Sequence, residues 1–288
     1  MNSTNAKKKL HSRRQIIGMI TLAPLLGWSL LSEVKSTTGY GAFRDENGNY
    51  GIAAINIKDG VPLFYTATPG RAHDLALSPN SNHLLCMARR PGTYLSVIDA
   101  IHGQVITQQK ALRGRHFYGH SCFSADGRYL FTAENAYDEA RGVIGVRDVS
   151  RNYQQVAEWD AHGIGPHQLS LSADGEHLII AIGGIQTHPN SGRKKLNLDS
   201  MQSALVYLNA ESGDFVARYR LHESQQSLSI RHLAVSKDGL VGLAFQDQDS
   251  LSQNKTLVGF HQFGQPITPQ AAEETIQHEM RGYCSSIT

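Results

Sequence analysis

From residue 40 onward the chain is built from short runs in which apolar and polar residues alternate, separated by clusters of Gly, Asp, Asn and Ser. A period of two puts one strand face on a core, and no long stretch carries the 3.6-residue period of an amphipathic helix. The pattern predicts strands over residues 50–57, 83–88, 94–98, 129–133, 143–149, 177–182, 204–208, 215–219 and 256–260.

One unit recurs. His73 leads the run DLALS-PNSNHLLCMA, His120 leads SCFS-ADGRYLFTA, His167 leads QLSLS-ADGEHLIIA, and His232 leads LAVS-KDGLVGLA. Aligning Ser78, Ser124, Ser172 and Ser236 gives spacings of 46, 48 and 64, the last lengthened by a polar insertion over residues 186–203. A period of about 45 residues with four strands per unit marks a β-propeller blade. The Asp-Gly pairs supply hairpin turns, with Gly providing positive φ. A sandwich would not repeat its turn chemistry at one period, and a β-helix would need shorter coils. Residues 40–67 read as three strands of a first blade, and four more units follow. Residues 281–288 read as the start of another inner strand, so the expected architecture is an all-β propeller, incomplete at its C-terminal end.

The first 36 residues read differently. Lys7, Lys8 and Lys9 precede Ser12-Arg13-Arg14-Gln15-Ile16-Ile17 and an apolar run to Leu31, the order of a twin-arginine export signal. The expected division is a signal segment at 1–36 and a propeller at 37–288, with the protein in the periplasm. Membrane contact is then expected only through an uncleaved signal. The full chain carries 27 Lys and Arg against 25 Asp and Glu, a formal +2. The signal holds six of the basic residues and one acidic one, so the remainder carries 21 against 24, a net of −3. That removes the main support for a nucleic-acid partner.

Repeat geometry gathers the chemistry. The Asp-Gly hairpins lie at one end of each sheet, so residues before the first strand and after the second share the other end. His73, His120, His167 and His232 fall there within one position of each other, and Glu134 and His188 are predicted on the same face. Imidazole is the commonest transition-metal ligand, and a carboxylate would complete a site for iron or copper. Arg89, Arg90, Asn135, Arg193 and Arg231 are candidates for holding an anionic ligand. The competing role for each histidine is a structural hydrogen bond to the neighbouring blade. His73 and His167 stand five residues before the aligned Ser, whereas His120 and His232 stand four before it. Adjacent strand positions point to opposite faces, which argues against convergence of all four. No Cys-x-x-Cys-His for covalent haem, no nucleophile elbow, no P-loop and no His-Glu-x-x-His occurs.

Several segments are specific enough to carry a resemblance: RHFYGHSCFSADGRYLFTAEN from Arg115, RGVIGVR from Arg141, IGPH ending at His167, GGIQTHP from Gly183, KLNLDSM from Lys195, SIRHLAVS from Ser229, and RGY from Arg281. Over about residues 40–283 the chain resembles an exported bacterial family, domain of unknown function 1513. The resemblance implies a propeller-like periplasmic protein with a twin-arginine signal. It also implies a role beside iron-handling proteins as partners, through gene neighbourhood, and transfers no catalytic residue. The family pattern continues past Arg-Gly-Tyr into further blades, whereas this sequence ends at Thr288. The reading that follows is a periplasmic binding protein accessory to iron or other metal handling. A metal-dependent oxidoreductase or hydrolase on the same face, and a pure interaction scaffold, stand as alternatives.

Overall fold

A computed structural model describes residues 38–192, 194–249, 256–270, 282–284 and 287. The signal segment assigned to residues 1–36 lies outside them.

Five antiparallel sheets follow one another along the chain, each a simple meander. The first has three strands, β1 (Thr38–Arg44), β2 (Tyr50–Asn56) and β3 (Pro62–Ala67). The second holds β4 (Ala72–Leu77), β5 (His83–Ala88), β6 (Tyr94–Asp99) and β7 (Val105–Lys110). The third holds β8 (Arg115–Phe123), β9 (Tyr129–Ala136), β10 (Arg141–Asp148) and β11 (Gln154–Asp160). The fourth holds β12 (Pro166–Leu171), β13 (His177–Ile182), β14 (Ala204–Asn209) and β15 (Phe215–Arg220). The fifth holds β16 (Leu228–Val235), β17 (Val241–Asp247), β18 (Val258–His261) and β19 (Thr268–Gln270). The first strands of successive sheets pack on one another, β1 on β4, β4 on β8, β8 on β12 and β12 on β16. That is the blade succession of a propeller.

The core is a set of layers between blades. Second strands such as β5 and β13 are buried on both sides, so they read as apolar runs without alternation. Along β13, Leu178, Ile180 and Ile182 pack with Phe131, Ile144 and Val146 of the third blade. Ile179 and Ala181 turn the other way, onto Leu228, Ile230, Leu243 and Phe245 of the fifth. Fourth strands β7, β11 and β15 alternate toward solvent. The hairpins close as expected: Gly127, Gly175 and Gly239 have φ of 68°, 78° and 83°. The Ser that opens each turn bonds its Asp, as Ser124 Oγ does to Asp126 at 2.6 Å.

Near residue 283 the chain runs antiparallel along β17. Tyr283 bridges Gln246, and the Asp247 amide donates to the Gly282 carbonyl at 2.7 Å. Ile287 lies over Gly242. The other residues of the predicted 281–288 strand lie outside the described ones.

Blade spacing at the axis depends on Gly119 of β8. A Cβ there would stand 2.1 Å from the His167 carbonyl oxygen, a backbone atom that cannot step aside. Gly119→Ala is expected to cost about 1–3 kcal/mol or more through overpacking. Gly70→Ala, whose nearest neighbour would be a Tyr94 ring carbon at 3.7 Å, is the control and should change little. Urea unfolding of the two variants checks this, and equal stabilities would contradict it.

Candidate functional site

The heads of the first strands of blades two to five are irregular at one place. Pairing slips at His73 in β4, at His167 in β12 and at Arg231 in β16, and between Phe117 and Ser121 in β8. At His73, His167 and Arg231 the slip is a β-bulge in which two residues oppose one, and in β8 three residues, 118–120, stand opposite Ala133; each bends its strand. Position five before the aligned Ser is His73, Gly119, His167 and Arg231, and position four is Asp74, His120, Gln168 and His232. The bulge lifts the strict opposition of adjacent side chains, and the four histidines converge. Ring centroids are 4.9 Å apart for His73–His120, 5.4 Å for His73–His167 and 5.2 Å for His120–His167. His232 stands 5.3 Å from His120 and 5.0 Å from His167.

Position four also links blades. Asp74 of blade two accepts from His120 Nδ1 at 3.0 Å and from the Ser121 amide at 2.9 Å, both in blade three. Gln168 of blade four repeats this with blade five: its Oε1 meets His232 Nδ1 at 2.8 Å and its Nε2 donates to the Leu233 carbonyl at 2.9 Å. The structural role anticipated for the histidines is therefore real for two of them. It takes different amounts of each ring. His232 uses both nitrogens, the second meeting Tyr283 Oη at 2.8 Å. His120 uses only Nδ1, and its buried Nε2 has no partner; His167 Nδ1 is likewise buried and unpartnered.

His73, His120 and His167 each offer a ring nitrogen, and the three atoms lie within 4.8 Å of one another. A four-coordinate ion with nitrogens about 2.0–2.1 Å away needs them about 3.3 Å apart, so binding one would require the rings to draw together. Asp74 stands behind His120 as carboxylates stand behind metal-ligating imidazoles, where they orient the ring. Burial, then His120, hold His73 far below its usual pKa, and burial followed by Arg231 does the same for His167. Burial pushes His232 down to about 3. Neutral rings have lone pairs to give. Burial pushes the Asp74 carboxyl up, but His120 and the Ser121 amide overrule it and keep it below its ordinary value.

Glu134 and His188 are placed elsewhere. The sequence pattern ends the strand at residue 133, which would put Glu134 on the open face, whereas β9 continues to Ala136 and holds Glu134 inside the sheet. There its Oε1 meets Arg147 Nη2 at 2.9 Å and Thr132 Oγ1 at 2.7 Å, with both ion-pair side chains at most 1% exposed. Burial outweighs Arg147 and raises the Glu134 pKa. His188 sits on the insertion, with its Nε2 3.1 Å from Asp138 Oδ1. A second group, Asp174, Glu176 and His177, is a hairpin whose Asp174 already holds the Ser172 hydroxyl and the Glu176 amide.

The insertion is pinned rather than loose. Asn197 ties its base, accepting from the Gln186 amide at 2.7 Å and donating to the Gly184 carbonyl at 2.8 Å. Its near end crosses onto blade three, where Asn135 donates to the Thr187 carbonyl at 3.2 Å and Tyr118 Oη to the Ile185 carbonyl at 2.9 Å. Arg90 donates to Tyr118 Oη at 2.8 Å and lies over that ring. Asn135 thus anchors the insertion, and Arg193 lies outside the described residues. Arg89 and Arg90 line a cleft of about 800 Å³, and Arg231 is buried beside the histidines. The sequence pattern missed Gln168, Tyr118 and Thr187. Gln168 was recoverable, because the alignment that exposes His120 and His232 sets it in the same column.

The chain belongs to the family described as protein of unknown function (DUF1513), which matches over residues 66–288. Comparison with the curated proteins finds no match. Among solved structures it is similar to the hydrazine synthase of Kuenenia stuttgartiensis, with a TM-score of 0.61 at 16% identity, over 82% of this chain and 67% of that one. At that identity the likeness concerns the fold alone.

Removing Glu134 separates the blade interior from the axis. Glu134→Leu leaves Arg147 buried without its partner and should cost about 3–5 kcal/mol, most of it recovered in the Glu134→Leu, Arg147→Met double variant. A double-mutant cycle by chemical denaturation measures this. A single-variant loss below about 1 kcal/mol, the scale of an exposed pair, would contradict it.

Proposed function

We propose that this DUF1513 member is an exported propeller that binds one transition-metal ion, iron or copper, on His73, His120 and His167. The observation that carries the reading is the meeting of three imidazoles at the axis with two buried ring nitrogens, His120 Nε2 and His167 Nδ1, left without a partner. A buried polar atom with no partner costs about 1–3 kcal/mol, and a ligated ion removes that cost. Three histidines leave a coordination position open, which fits capture or delivery of an ion as well as a closed structural site would not. His232, bonded at both nitrogens, stands outside the ligand set. Iron is favoured over copper by the family's implied neighbourhood, and partnership with other periplasmic iron-handling proteins belongs to the same reading.

Elemental analysis of the exported, folded protein tests it. One iron or copper per chain is expected, lost in His120→Ala with His167→Ala and retained in His188→Ala. Asp74→Asn should weaken metal affinity about 10–100-fold while leaving the ligands in place. Protein without metal that also shows no thermal stabilisation on adding iron or copper would overturn the proposal.

The export half is tested separately. Arg13→Lys with Arg14→Lys should hold the protein in the cytoplasm on cell fractionation, and unchanged periplasmic recovery would contradict a twin-arginine route.

A further inference from the structure

Arg231 is the bulge residue of blade five, occupying the position that His73 and His167 occupy in blades two and four. Its side chain is buried and bonds Tyr283, yet Nε and Nη1 find no partner. Burying a guanidinium with no anionic partner is expensive, and a carboxylate or phosphate is the group whose paired oxygens match its fork. The surroundings add positive charge. Lys195 adjoins Leu196, whose amide donates to the Gln186 carbonyl at 3.0 Å, next to Thr187, whose Oγ1 meets Arg90 Nη1 at 3.5 Å, and Arg231 Nη1 reaches to 3.2 Å from a Cβ on Gly183; partial burial, then Arg231 and Arg90, lower the Lys195 pKa accordingly. Arg90 also lines the cleft of about 800 Å³, together with Arg71, Arg89 and Lys110 and no acidic residue.

We propose that Arg231, Lys195 and Arg90 form a seat for an anionic oxygen ligand, a carboxylate or phosphate group, beside the histidine cluster. The insertion supplies Lys195 and, through Ile185 and Thr187, braces the Tyr118–Arg90 pair. The seat gives that long segment a role in binding. It stands on its own side chains and does not need a metal, so the two ideas fail independently.

The test is isothermal titration of the full chain, stripped of metal by a chelator that is then dialysed away, with inorganic phosphate and with citrate in separate arms. Saturable binding of at least one is expected, weakening steeply with added salt. Tighter citrate assigns a polycarboxylate, and tighter phosphate assigns a phosphate group. Arg231→Gln should reduce affinity about tenfold or more, the scale of losing a charge-assisted pair. Lys195→Gln, at a largely exposed position of the insertion, should reduce it about threefold by the loss of a screened charge. Absence of saturable binding by both anions up to about 10 mM, where even a weak site near 1 mM fills, would overturn the seat. So would binding that Lys195→Gln and a folded Arg231→Gln leave unchanged.

Discussion

A bulge at the head of the inner strands of blades two to five is the constraint on which the axis of this protein depends. In a regular strand, neighbours such as His73 and Asp74 face opposite ways. With the slip in pairing, one residue reaches the axis and the next reaches the adjoining blade. In blades two and four this makes an axial residue and a seam from one dipeptide, and in blades three and five the second residue, His120 or His232, takes the seam bond and also joins the ring. Where the axial residue is Gly119, the backbone of blade four comes in against it, and the histidine of that blade is brought forward.

The seam explains why these histidines differ in chemistry while sharing a position. Asp74 leaves His120 with one bonded nitrogen and one free, whereas Gln168 and Tyr283 together use up His232. A carboxylate behind His120 makes its far nitrogen a better donor to an ion. Around it the rings of His73 and His167 are kept neutral by burial, then by His120 for His73 and by Arg231 for His167. The apolar layers between blades fix the frame, since Leu178, Ile180 and Ile182 lock blade four to blade three immediately outside the ring. Arg231 then sets one cation at the edge of the cluster, which biases its own neighbourhood toward an anion.

Much of the fold was legible because its signals are local. The Ser-x-Asp-Gly turns, the doubly buried runs at 83–88 and 177–182, and the recurrence near 46 residues all report on chemistry within a few positions. The three-stranded first blade was readable for the same reason. Convergence of the histidines was not, because a bulge leaves no mark on an alternating pattern; the one-position slip between His73 and His120 was its trace, and it argued the other way. Glu134 was misplaced because its strand runs three residues past the apolar run, and its partner Arg147 sits on the next strand. The insertion's anchoring through Asn197 depends on where a polar side chain meets distant carbonyls, which spacing does not reveal.

If the bulges bring three histidines to one ion, anomalous diffraction from crystals grown with iron or copper will show it. A single peak should lie about 2.0–2.2 Å from nitrogens of His73, His120 and His167, with none at His232 or His188. A peak at other side chains, with the axial histidines bare, would contradict it.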